Sequence, residues 1–229
     1  MKSINVCFGV ALSLATTTAF AQGTSDQAAQ GEGANELGNH QRHVRVDVGV
    51  RTQFVRGKGF DPFAGNDVLP QLTLGASYYF WSHDRLSLGG AFAFDYGARS
   101  SQARSGEASL DSRRLLLAPE LRYHVLRVLA LSAKAGPTLT RQAVTYSGGG
   151  AGDLSKTAWK AGVDATAGVA FEVFGYASGK SNKPRLWLTA EGGYGWTAAN
   201  RLRLEPDESA PSPQRLTPLD LGELSLSGP

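Results

Sequence analysis

A set of charged residues falls on alternate positions of strand-like runs: Arg45, Asp47, Arg51, Asp95, Arg114, Glu120, Arg122, Lys134, Lys160, Asp164, Glu172 and Glu191. Both signs are interleaved. Isolated charges gathered on one enclosed face are expensive, so these groups should pair across neighbouring strands. Two kinds of chemistry follow: an ionic core that stiffens the fold, or a charged narrow pore or small-ligand site. Enzyme chemistry has little support, because no G-x-S-x-G or H-E-x-x-H motif exists to supply a nucleophile or a catalytic metal. His43 and His124 fall at one end of the molecule and His83 in a turn, away from any convergent acid, base and nucleophile. His40-x-x-His43 lacks a third ligand nearby. Gly148 to Gly152 is followed by no Lys-Ser/Thr pair and reads as a flexible loop rather than a phosphate cradle. The chain is therefore expected to be non-enzymatic and without cofactor or metal. With 23 Lys+Arg against 20 Asp+Glu, its charge of +3 gives no nucleic-acid footprint.

The element that must position these charges is the period-two strand. Leu72, Leu74, Ala76, Tyr78 and Phe80, then Leu86, Leu88, Gly90, Phe92, Phe94 and Tyr96, alternate with small or polar residues around a turn at Ser82–Arg85. Successive side chains of a strand point to opposite sheet faces, so this is a hairpin with one apolar face. Each arm runs for about ten residues, the length of a tilted strand that crosses a bilayer. Val44 to Phe54 alternates as cleanly, and comparable strands are expected over Arg114–Val125, Leu129–Thr140, Trp159–Val173 and Arg185–Trp196. Long polar connections (Val55–Val68, Ala98–Leu110, Gln142–Lys156 and Thr197–Pro218) alternate with shorter ones at Ser82, Arg127 and Gly179. Aromatics gather near strand ends: Phe80, Trp81, Tyr123, Phe171 and Phe174 at one, and Phe54, Tyr96, Trp159, Tyr194 and Trp196 at the other. These positions suit two interfacial girdles. Pro119 and Pro137 each remove a ladder donor from adjacent strands, which calls for a bulge or a local water.

The N-terminus reads as a secretory signal, with Lys2, an apolar run from Ile4 to Ala15, and a small-x-small site at Ala19-Phe20-Ala21. Cutting there leaves 229 − 21 = 208 residues with a charge of +2 and no cysteine, since Cys7 lies within the signal. Gln22 to Arg42 is polar and expected to be disordered. The expected organisation is thus a signal peptide over 1–21, a polar linker over 22–42 and a β-barrel over 43–229.

On this pattern the chain resembles the small outer-membrane β-barrel proteins of the OmpA/OmpX type. The resemblance implies an all-β, eight-stranded antiparallel up-and-down transmembrane barrel in a Gram-negative cell envelope, with both termini periplasmic. It also implies insertion by the barrel-assembly machinery. Leu219 to Ser227 would begin the last strand, but the family's closing aromatic residue is missing, and truncation is expected. The expected role is structural or surface-interacting, with the four long connections as contact surface and outer-membrane lipid as partner. Arg99, Arg104, Arg113 and Arg114 would face lipopolysaccharide phosphates. Two rivals stand: a porin-like narrow pore or carrier for small solutes, and a soluble periplasmic lipocalin-like barrel. The second would put the apolar stripe inside and the charges in water. Alternation alone does not separate inside from outside.

Overall fold

A computed structural model describes residues 11–17, 44–55, 59–103, 106–148, 154–174, 185–206 and 218–228, and contains no helix among them. The strands are β1 (Ala11–Thr17), β2 (Val44–Phe54), β3 (Val68–His83), β4 (Leu86–Ala103), β5 (Gly106–Leu126), β6 (Leu129–Gly148), β7 (Leu154–Phe174), β8 (Arg185–Thr197), β9 (Asn200–Pro206) and β10 (Leu219–Leu224). The architecture is an all-β antiparallel meander. Each strand from β1 to β7 pairs with the next, and β8 pairs with β7 on one edge and β1 on the other. Tight turns join β3 to β4 and β5 to β6. In the first, Asp84 takes a φ of 47°, the left-handed region that aspartate tolerates better than most residues.

One face of this sheet is buried and polar, the other exposed and apolar. On β5, Leu117, Leu121 and Tyr123 are exposed while Arg114, Glu120 and Arg122 are buried. Bulges break the period at several strand ends, two of them beside outward aromatics. Between Tyr79 and Trp81 one extra residue lets Phe80 and Trp81 both face outward, and a bulge at Glu172/Phe174 does the same for Val173 and Phe174.

Beyond the outer aromatics the pattern inverts. The expected loops Ala98–Leu110 and Gln142–Lys156 are largely strand, because β4, β5, β6 and β7 continue past the apolar belt. There Ala108, Leu110, Val144, Tyr146 and Leu154 turn inward, while Ser109 and Thr145 stay outside. The expected loop Thr197–Pro218 likewise contains β9. The expected closing strand, Leu219–Ser227, is a strand only as far as Leu224, and β10 pairs with β9 rather than completing the wall. Leu202, Leu204, Leu224 and Leu226 from this region join Phe60, Phe63, Val55 and Leu69 in an apolar cluster over the outer end of the interior. Burying these leucines drives the hairpin down onto the strand ends, since each full burial contributes roughly 1.5–3 kcal/mol.

The two prolines face outward, and the β5–β6 partners stop at Leu116↔Thr138 and resume at Glu120↔Lys134. Beside this gap the strands come close: a Cβ on Gly136 would stand 2.2 Å from the Leu117 carbonyl oxygen. Gly136→Val is therefore expected to cost about 1–3 kcal/mol in urea unfolding. Gly90→Val, with nothing within 4 Å of its Cβ position, should change stability by under about 0.5 kcal/mol.

Residues 11–17, expected inside the signal, form the strand between β2 and β8, from Leu12↔Val50 to Thr16↔Val46 and from Ala11↔Glu191 to Thr17↔Arg185. The C-terminal segment stands between the outer ends of the same two strands. Gly228 exchanges two backbone hydrogen bonds of 2.9 Å with Gly195, and Gln53 Nε2 donates to the Leu226 carbonyl at 2.6 Å. Cleavage after Ala21 would remove β1 and uncover the β2 and β8 edges. Intact-mass measurement on protein recovered from membranes is expected to show a chain beginning at Gln22; a mass beginning at Met1 would make β1 a permanent wall strand. The expected linker Gln22–Arg42, with His40, and likewise His43 and Arg104, lie outside the described residues.

Candidate functional site in the charged interior

The buried face is layered. At the end nearest the tight turns, the Arg122 guanidinium lies 4.4 Å from the Trp187 ring centroid, and His124 meets the same indole edge-on at 6.1 Å. Glu172 is buried in this layer, directly across the strand pair from Trp187.

The next layer is the first ion cluster. Arg45 Nε donates to Asp47 at 2.7 Å, its Nη1 to Glu120 at 3.3 Å, and its Nη2 lies 4.0 Å from Glu191. Glu120 also accepts from Ser77 Oγ at 2.6 Å and Tyr79 OH at 2.7 Å. Lys134 Nζ reaches Glu191 at 2.7 Å. Glu120 thus has three donors and Glu191 two cationic neighbours, the condition for burying charge without a large penalty, while Asp47 rests on Arg45.

Small residues follow. Gly49, Gly75, Ala91, Ala93 and Gly193 line a cavity of about 70 Å³ between the clusters, room for roughly five waters. Thr166 Oγ1, on its lining, has no hydrogen-bond partner in the protein.

The second ion cluster closes over this space. Arg114 bridges Asp95 and Asp164, with Nε to Asp95 at 2.8 Å. Arg51 Nη1 reaches Asp164 at 2.7 Å and lies 3.9 Å from Asp95, which also accepts from Thr73 Oγ1 at 2.6 Å. Above it come amides and hydroxyls: Gln53, Gln71, Ser112, Thr140, Gln142 and Asn200, with Asn200 Nδ2 donating to Gln142 at 3.2 Å. The apolar cluster comes last.

The structure thus brings Arg45, Asp47, Glu120, Lys134 and Glu191 into one cluster and Arg51, Arg114 and Asp164 into another. Lys160 lies on the inner face but outside both, and Arg122 sits against Trp187. Of the expected aromatic girdles, Phe80, Trp81, Tyr96, Tyr123, Trp159, Phe171, Tyr194 and Trp196 are exposed on the outer face, while Phe54 is half-buried. Asp95, Tyr79, Ser77, Thr73 and the glutamine layer share the small or polar strand faces; their partners depend on register, which alternation does not reveal. His83 is exposed, 3.4 Å from Asp84 and stacked on Trp81. Among the described residues, no group of three or more His, Cys, Asp or Glu could hold a metal ion. Outside the belt, the Gly222 N–H and then Arg201 hold the Asp220 carboxyl below the usual carboxylate range. This β9–β10 contact is therefore kept at neutral pH and lost as pH falls through that lowered value.

In comparisons with known proteins, the chain matches no protein-family model and no curated sequence. Among the described residues, the interior pairs its charges in two clusters and leaves a small cavity between them.

Proposed function

We propose that this chain is a non-enzymatic outer-membrane β-barrel of the OmpA/OmpX type, exported by a cleaved signal and inserted by the barrel-assembly machinery. Once the signal and β1 are removed, its wall is the β2–β8 meander, with the C-terminal segment lying between the outer ends of β2 and β8. The observation that carries the reading is the inversion of the alternation at the outer aromatics. Below them the strands are apolar outside and charged inside; above them they are polar outside and apolar inside. That change of phase is what a strand needs on leaving hydrocarbon for water. The belt also has the right height. From Arg113 to Tyr123 on β5 is 123 − 113 = 10 residues, or about 33 Å of strand at roughly 3.3 Å each. A tilt of about 40° reduces this to about 25 Å, the height of the apolar band of such barrels.

The role is structural and surface-interacting. The contact surface is the polar outer face of the projecting ends of β4–β7 and of the β9–β10 hairpin, not a set of loose loops. A lipocalin-like carrier would require the opposite polarity of its interior. A pore would require an open path where two ion clusters and an apolar cap lie in series. Fractionation of cells expressing the full chain tests the reading: recovery with outer membranes is expected, and recovery in the soluble periplasmic fraction would overturn it.

A further inference from the structure

One row of outward side chains breaks the apolar belt. In register across four neighbouring strands stand Tyr96 on β4, Arg113 on β5, Arg141 on β6 and Trp159 on β7. The row below is Phe94, Leu115, Leu139 and Ala161, and the row above is Ala98, Asp111, Ala143 and Thr157. The two arginines thus sit where the wall passes from apolar to polar. They are directly opposite one another, and like charges directly opposite on adjacent strands destabilise a sheet. Asp111 offsets part of this through Arg113 Nε at 3.2 Å. Arg113 also lies 5.8 Å from the Tyr96 ring centroid. Arg141 has no ion-pair partner among the described residues.

We infer that Arg113 and Arg141 form a binding site for the phosphate of an outer-leaflet lipid headgroup. Tyr96 and Trp159 flank the headgroup, and the Phe94–Ala161 row lies against the acyl chains. The inference rests on the membrane reading above and sharpens it to one site. Guanidinium forks suit phosphate oxygens, and one phosphate between the pair turns a repulsion into two charge-assisted contacts. The commitment is to a lipid phosphate rather than free phosphate, because the apolar row directly below would have no role toward a soluble anion.

The test uses the folded full chain. Flotation with phosphatidylcholine vesicles first establishes insertion, and detergent-solubilised protein is then titrated with diphosphoryl lipid A. The R113Q/R141Q double variant is expected to bind about tenfold more weakly or worse. D111N, which frees Arg113, should bind more tightly, and R203Q, on the exposed face of β9, should bind as the unmodified chain does. Inorganic phosphate at millimolar concentration should not displace the lipid. A double variant that floats and binds lipid A normally overturns the site while leaving the membrane reading intact. Ready displacement by inorganic phosphate overturns the lipid assignment. Failure of the unmodified chain to float overturns the membrane reading and the site with it.

Discussion

Leu117→Arg is expected to destabilise the folded protein in lipid vesicles by about 2–4 kcal/mol, the cost of a cation near the bilayer midplane on a barrel's lipid face. Leu117 is 66% exposed on β5, four residues from Arg113 and six from Tyr123 (117 − 113 and 123 − 117). In a protein whose outer face met water, arginine at such an exposed position would change stability by under about 0.5 kcal/mol. The two environments therefore give different magnitudes for one substitution. Ser109→Arg, on the same face of the same strand but beyond the inversion, should be close to neutral. Urea unfolding in vesicles, followed by tryptophan fluorescence, reads both variants. Equal small effects would place both residues in water.

The second large effect is expected inside. Glu120 is 2% exposed and accepts from Arg45, Ser77 and Tyr79. Glu120→Ala leaves two hydroxyls without their acceptor and Arg45 without one of its carboxylates. Removing one partner of a buried ion pair costs about 3–5 kcal/mol, far more than the pair itself contributes. Glu120→Gln keeps an acceptor for Ser77 and Tyr79 and should cost less than the alanine variant. A double-mutant cycle with Arg45→Met isolates the coupling, which is expected to be large and favourable. Additive single and double effects would mean that Arg45 is held by Asp47 and Glu191 alone.

Much of the wall was legible in the sequence, for a physical reason. Val44–Phe54 places valines on one face and Arg45, Asp47 and Arg51 on the other, and a pleated strand has no other way to segregate them. The inner-face position of Glu120, Lys134 and Asp164 followed from the same parity, as did the outward aromatics other than Phe54 and Trp81, the latter turned outward by the bulge after Tyr79. Phe54 lies beside the C-terminal segment, and a contact so distant in sequence leaves no local signal. The projecting strand ends were hidden because their polarity runs in the opposite phase. Ser112, Asp111, Leu110, Ser109 and Ala108 form a regular strand, but a pattern read with apolar residues outside ends at Arg113. The β9–β10 cap was hidden because its leucines are covered by residues far away in sequence, such as Phe60 and Val144. The partners in each ion cluster depend on register across strands, and a single strand does not encode its neighbour's offset. Residues 11–17 are the place where local composition and pairing disagree: an apolar run with the composition expected of an export signal is also a competent strand.

The claim on which the rest depends is a hydrogen-bonded wall in a membrane, and its most direct measurement is electrophoretic. The chain beginning at Gln22, folded into vesicles and run in SDS with and without boiling, should migrate at two positions, because a barrel whose β2 and β8 edges meet resists SDS until heated. A single position, unchanged by boiling, would contradict a barrel wall and return the buried charges and exposed apolar belt to some other assembly.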